Sequence, residues 1–173
     1  MKNILLALTL FINFNIYAQI LPIDSTTKQI SYTKVIEVPG TTKIDLYSRA
    51  NEWFAKTYNS SQNVLQAQDK EEGKLIGKAL MKSTLKGFNA GYVNYTISVF
   101  LKDNRYKYEV TDLAHEKGTS TLGSGGALES NKAATMSIMG KQWVSIKIQA
   151  DNEIKSLLSS LELAMNQKSK NDF

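Results

Sequence analysis

The sequence predicts an α+β domain: an antiparallel sheet with two amphipathic helices packed on one face. Three observations predict it. Residues 92–101 alternate between inward apolar and outward polar side chains, which marks a strand with one buried and one wet face. Two other stretches repeat apolar residues at helical spacing, so each forms a helix with a single apolar stripe. The order reads β-α-β-β-β-β-α, and turns between the four consecutive strands are short enough for a meander.

The elements follow in order. Residues 30–38 form a strand with Tyr32, Ile36 and Val38 on one side, and Pro39-Gly40 ends it. Thr42 with Asp45 three residues on resembles a capping box, with Asp in place of Glu. Leu46, Ala50, Trp53, Phe54 and Thr57 then recur at helical spacing over 43–58, until Asn59-Ser60-Ser61. A short strand covers 64–68, and 69–73 is a polar turn with Gly73 near its end. Residues 74–83 resume as a strand, with Leu75, Gly77, Ala79 and Met81 opposite Ile76, Lys78, Leu80 and Lys82.

In the next strand Val93, Tyr95, Ile97, Val99 and Leu101 face one way, and Tyr92, Asn94, Thr96 and Ser98 the other. Residues 102–105 make a hairpin turn, and Tyr106, Tyr108 and Val110 continue the inward face. Residues 116–131 form a long Gly/Ser/Thr-rich loop, and 127–139 has room for a weak helical turn before Gly140. The final helix carries Trp143, Ile146, Ala150, Ile154, Leu157, Leu161 and Ala164 on its stripe, with Lys168 and Lys170 just past its carbonyl end.

The first 18 residues read as a cleavable signal peptide. Lys2 supplies the positive start, 4–12 the apolar run, and Ala18 the small residue before the cut. An ordinary buried N-terminal strand is the competing reading. The apolar run is too short for a membrane span, which needs about 20 residues, and no later segment qualifies. The chain of 173 residues thus divides into a leader (1–18), a lead-in (19–27), one domain (28–167) and a frayed tail (168–173). The expected location is the periplasm or the exterior. A domain of this size buries roughly two thirds of its unfolded surface and needs no disulfide staples.

Composition narrows the chemistry. There is no cysteine, which excludes thiol nucleophiles, disulfides and cysteine–metal sites. The single histidine, His115, excludes multi-histidine metal centres. The net charge of +5 comes from scattered lysines, a solubility charge rather than a polyanion-binding stripe.

Two stretches carry a family resemblance. One is Leu46-Tyr47-x-Arg49-Ala50-x-x-Trp53-Phe54 on the first helix; the other is Asp69-x-Glu71-x-Gly73-x-x-Ile76-Gly77-Lys78 across the turn into the third strand. Together they resemble a bacterial secreted domain-of-unknown-function family with a TATA-binding-protein-like (TBP-like) fold, found mostly in Gram-negative bacteria. The similarity covers about residues 28–114 and agrees with the element order. The resemblance implies no activity, cofactor or site residue. The matched residues also make structural sense alone: Leu46, Ala50 and Trp53 as core, Gly73 in a turn, Gly77 for close helix packing.

Catalytic and ligand motifs are weak. His115-Glu116 lacks the second histidine of a zinc-protease helix. Ser120, Ser124 and Asp112 stand near His115 in sequence, but no nucleophile-elbow motif supports a triad, and a histidine at a strand end is expected to be solvated. Residues 123–126 lack the lysine of a phosphate loop and read as a flexible connector. Asp69, Glu71 and Glu72 lack the alternating ligands of a calcium loop. Asp24-Ser25-Thr26 resembles a short O-glycosylation signal, and an exposed lead-in explains it equally well.

The expected function is therefore a non-catalytic binding or interaction module of the cell envelope, without cofactor, metal or nucleic acid. The alternative is an envelope enzyme of unknown class, such as a hydrolase. The candidate binding surface is the wet sheet face, carrying Lys78, Lys82, Asn94, Thr96, Ser98, Lys107, Glu109 and Thr111. Its partner is unidentified, with another envelope protein the expected kind. A sheet face that is merely solvated is the competing reading.

Overall fold

The computed structural model describes residues 21–167. The leader and the tail fall outside the described residues. The element order is β1 (Tyr32–Glu37), α1 (Lys43–Thr57), α2 (Ser61–Val64), β2 (Leu65–Asp69), β3 (Lys74–Leu85), β4 (Phe88–Lys102), β5 (Arg105–Glu116), β6 (Gly126–Ala127) and α3 (Gly140–Asn166). The one-turn α2 and the two-residue β6 are additions to the expected order.

Strands β2 to β5 are sequential neighbours in one antiparallel sheet of order β1-β5-β4-β3-β2. The chain leaves β1 on one edge, crosses through α1 and re-enters at β2 on the other. β6 pairs with the far end of β5. β3 and β4 are longer than the alternation alone marks. Their turn is Lys86-Gly87, both at positive φ (50° and 82°), which suits a two-residue hairpin. The β4–β5 turn is tied to the start of α1: Lys43 N–H donates to Asp103 Oδ1 at 2.7 Å, and Gly40 N–H to Asn104 Oδ1 at 2.8 Å. Thr42 caps α1 by accepting from Asp45 N–H at 3.1 Å.

The inward row of the sheet is Leu75, Val93, Tyr95, Ile97, Val99, Leu101, Tyr106, Tyr108 and Val110, all buried. Helix side chains meet this row. Tyr58, just after α1, shares a hydroxyl hydrogen bond with Tyr95, and Glu162 of α3 accepts from Tyr108. Gly77 does admit a helix closely: a Cβ there would stand 3.0 Å from the Phe54 ring and from Val64. The helices join through Trp53 Nε1–H, which donates to Ser160 Oγ at 2.9 Å.

Both stripes differ in detail from expectation. Thr57 is exposed, so the α1 stripe ends at Phe54. On α3 the buried set runs Ile154, Leu158, Leu161, Met165. Leu157 and Ala164 are half-buried, because steps of four and three residues carry the stripe past them. Residues 128–139 form turns and bends rather than a helix.

Candidate binding surface

The outward row of the sheet is where the expected residues lie. Pairing sets them in cross-strand ranks: Lys78 beside Thr96 and Thr96 beside Thr111; Ser98 beside Glu109; Phe100 beside Lys107; Leu80 beside Asn94. Lys78 and Lys82 are exposed, and Asn94, Thr96, Ser98, Lys107, Glu109 and Thr111 are half-buried. The structure thus places all eight on one strand face, as the alternation implies.

The face also carries apolar groups absent from the expected set. Leu80 and Val35 are 58% and 55% exposed, and Phe100 is half-buried. Lys107 Nζ stands 4.8 Å from the Phe100 ring centroid and 2.7 Å from Glu109 Oε1. Phe100 shares the parity of Tyr92, a signal present in the sequence but hidden by the unbroken apolar run 99–101.

A depression of ≈ 690 Å³ joins part of this face to the corner after α1. Lys78, Asn94 and Thr96 border it, with Leu80, Asp112, Tyr58 and Asn59. Its two tyrosines, Tyr58 and Tyr95, are hydrogen-bonded to each other, and burial pushes both phenols up. Neither is a proton donor or acceptor tuned for chemistry near neutral pH.

Asp112 marks an irregularity the sequence does not reveal. Asn94 pairs with Ala114 but Thr96 with Thr111, so Tyr95 faces two residues of β5, a β-bulge. Asp112 sits at φ 58°, which Asp tolerates better than most residues. After the bulge the parity of β5 reverses, and Leu113 and His115 point inward.

His115 is therefore fully buried, not solvated. Gly125 N–H donates to its Nδ1, which leaves the proton on Nε2, donated to the Ala90 carbonyl at 2.8 Å. Its ring lies edge-on to Trp143, with centroids 6.1 Å apart. Desolvation holds its pKa below the ordinary histidine value. The neighbouring serines are engaged elsewhere: Ser120 Oγ donates to the Asn89 carbonyl, and Ser124 Oγ accepts from Lys117 N–H. Asp112 lies outward on the bulge. Ser120, Ser124, Asp112 and His115 are not brought together as a triad.

The Gly/Ser-rich loop is more than a flexible connector. Leu128 is buried, and its N–H donates to the Leu113 carbonyl at 2.9 Å. Trp143 Nε1–H and Lys147 Nζ both donate to the Ser130 carbonyl at 2.8 Å. The loop straps one end of the sheet to α3.

The remaining sequence candidates resolve as local structure. Asp69 Oδ1 accepts from Glu72 N–H at 2.8 Å, closing the acidic turn on itself. No group of three or more His, Asp or Glu suited to a metal occurs among the described residues. Asp24 accepts from the Thr26 and Thr27 backbones at 3.0 and 2.7 Å, so 24–27 is an Asx-type turn. No helix among the described residues is long and apolar enough to cross a membrane.

A six-stranded antiparallel sheet, backed by two long helices, defines the class: an α+β domain with the TBP-like fold. Residues 32–116 match the family model described as "Domain of unknown function (DUF4468) with TBP-like fold", so the chain carries a DUF4468 domain. The fold is similar to that of a TBP-like protein from Parabacteroides distasonis (TM-score 0.69, 15% identity, covering 87% of this chain and 100% of that one). It is also similar to a DUF4468 family protein from Bacteroides ovatus (TM-score 0.64, 12% identity, covering 89% and 95%). No curated protein matches the sequence.

Proposed function

We propose that the chain is an exported protein of the cell envelope and acts there as a non-catalytic module that binds another protein through the outward sheet face. The observation that carries the reading is the contrast between the two faces. The inward face is packed, with the hydroxyls of Tyr32, Tyr95 and Tyr108 bonded to partners near or on the helices and that of Tyr106 buried without one. The outward face offers Leu80, Phe100 and Val35 among lysines, glutamates and hydroxyls. Exposed apolar groups rimmed by polar ones are what a protein partner buries.

Export rests on the leader at residues 1–18. Nucleic acid is disfavoured because Glu109 and Glu116 stand on the same face as its lysines, and Phe100 is already covered by Lys107. The test is capture from envelope extract with the purified protein and with Thr96→Arg/Ser98→Arg. The variant should fold with an unchanged melting temperature and lose the captured partner. Equal capture by both proteins would rule the face out.

A further inference from the structure

Beyond Gly77 no strand of the described residues lies on the β2 side of the sheet. β2 pairs with β3 only from Lys74 to Gly77, while β3 continues to Leu85. Along 78–83 no backbone partner stands on that side among the described residues. The edge closes again at Thr84. There the Gln149 side-chain amide donates to the Thr84 carbonyl at 2.7 Å, and its Oε1 accepts from Thr84 N–H at 3.1 Å. One primary amide making both bonds does what a neighbouring peptide unit would do. The open stretch is a window roughly 20 Å long at the usual strand rise, bounded by β2 and by Gln149. The ≈ 690 Å³ depression borders Lys78, Ala79 and Leu80, and a second cavity of ≈ 320 Å³ borders Met81, Lys82 and Ser83.

We propose that this window takes an extended acidic peptide segment of a partner protein as an added strand. The proposal rests on the binding-module reading and names the kind of partner. An uncovered strand edge is a template for backbone pairing, and side chains beside it set the choice of strand. Here Lys78, Leu80 and Lys82 stand on the outward side, and neither lysine belongs to any ion pair of the described residues. An added strand opposite them is best matched by acid, apolar, acid at alternate positions. Its other side chains would point toward Ala79 and Met81, near Glu153 of α3 at the second cavity, so neutral residues fit there. A second copy of this chain fits badly. Antiparallel pairing centred on Leu80 would set Lys78 of each copy against Lys82 of the other, and like charges directly opposite destabilise a pair.

The test uses the purified protein and the capped peptide acetyl-Gly-Glu-Val-Leu-Val-Glu-Gly-amide. Binding is read by fluorescence anisotropy and by amide hydrogen exchange. The peptide should bind saturably and slow exchange within 78–83. N-methylating alternate peptide amides keeps every charge but removes one hydrogen-bonding edge, and methylation on the pairing edge should weaken binding by about tenfold or more. The peptide with both Glu replaced by Lys should bind only to Lys78→Glu/Lys82→Glu, whose changed residues are exposed. Absence of binding at millimolar peptide overturns the proposal. So does equal binding of both N-methylated series with protection confined to residues 94–98. Either result leaves the outward face to its own capture experiment.

Discussion

The Gly125 backbone N–H donates to Nδ1 of His115 at 2.9 Å, which ties the middle of the loop to the inner row of β5. A proton on Nδ1 would abolish that bond and place a charge among Trp143 and the sheet. Burial holds the folded-state pKa below the ordinary value, so the unfolded chain takes up the proton first as pH falls. Stability is then full above about pH 6.5 and declines below it, by at most about 1.4 kcal/mol per pH unit. The melting temperature should hold from about pH 7.5 to 6.5 and fall from there toward about pH 5.5, and His115→Gln should flatten that fall. A melting temperature constant across this window would contradict the assignment.

Gly125 is also a close-packed position. A methyl there would overlap the Trp143 ring and come within 3.0 Å of His115 Nδ1. Gly125→Ala should cost about 1–3 kcal/mol. Gly140, at the start of α3, has nothing within 4 Å of such a methyl. Gly140→Ala should be neutral or stabilising by up to about 1 kcal/mol. Chemical denaturation of the two variants checks the contrast.

Deleting residues 118–126 should be destabilising as well. The deletion removes the Gly125 donor, leaves His115 Nδ1 buried without a partner, and cuts into β6. Orphaning a buried polar group alone costs about 1–3 kcal/mol. A deletion variant as stable as the parent would mean that the loop contributes nothing to the fold.

The helix interface makes a fourth set of outcomes. Trp53 is 4% exposed, with its ring edge-on to Phe54 at 5.0 Å. Trp53→Ala should cost about 3–5 kcal/mol. On α3, Leu158→Ala should cost about 2–5 kcal/mol and Leu157→Ala clearly less, since only Leu158 lies within the stripe. Equal losses at the two leucines would place the stripe between them.

The sheet and both long helices are legible in the sequence, because strict alternation in 92–101 and the spacing of Leu46, Ala50 and Trp53 admit few alternatives. The eight outward polar residues follow from the same parity. Leu157 illustrates the limit. Adjacent leucines at 157 and 158 satisfy the helical period equally, and only packing against the sheet chooses between them. His115 shows a different limit. Its inward position depends on the bulge at Asp112, and an aspartate in a strand announces no bulge. The anchoring of the loop was equally hidden, since it works through backbone groups of Gly125, Leu128 and Ser130 that composition does not report.

The doubled position opposite Tyr95 makes the end of the domain depend on where β5 sets its extra residue rather than on the character of the residues that follow. Were β5 to run past Asp112 in regular alternation, the sequence would be untouched. Yet everything downstream would turn over: Ala114 and Glu116 would swing toward the helices, and Leu113 and His115 would swing into solvent. The strap would then find the Ala114 methyl where it now meets an imidazole. A chain lacking Asp112 should keep this corner, because Leu113 alone would then face Tyr95 and every later residue would hold its side.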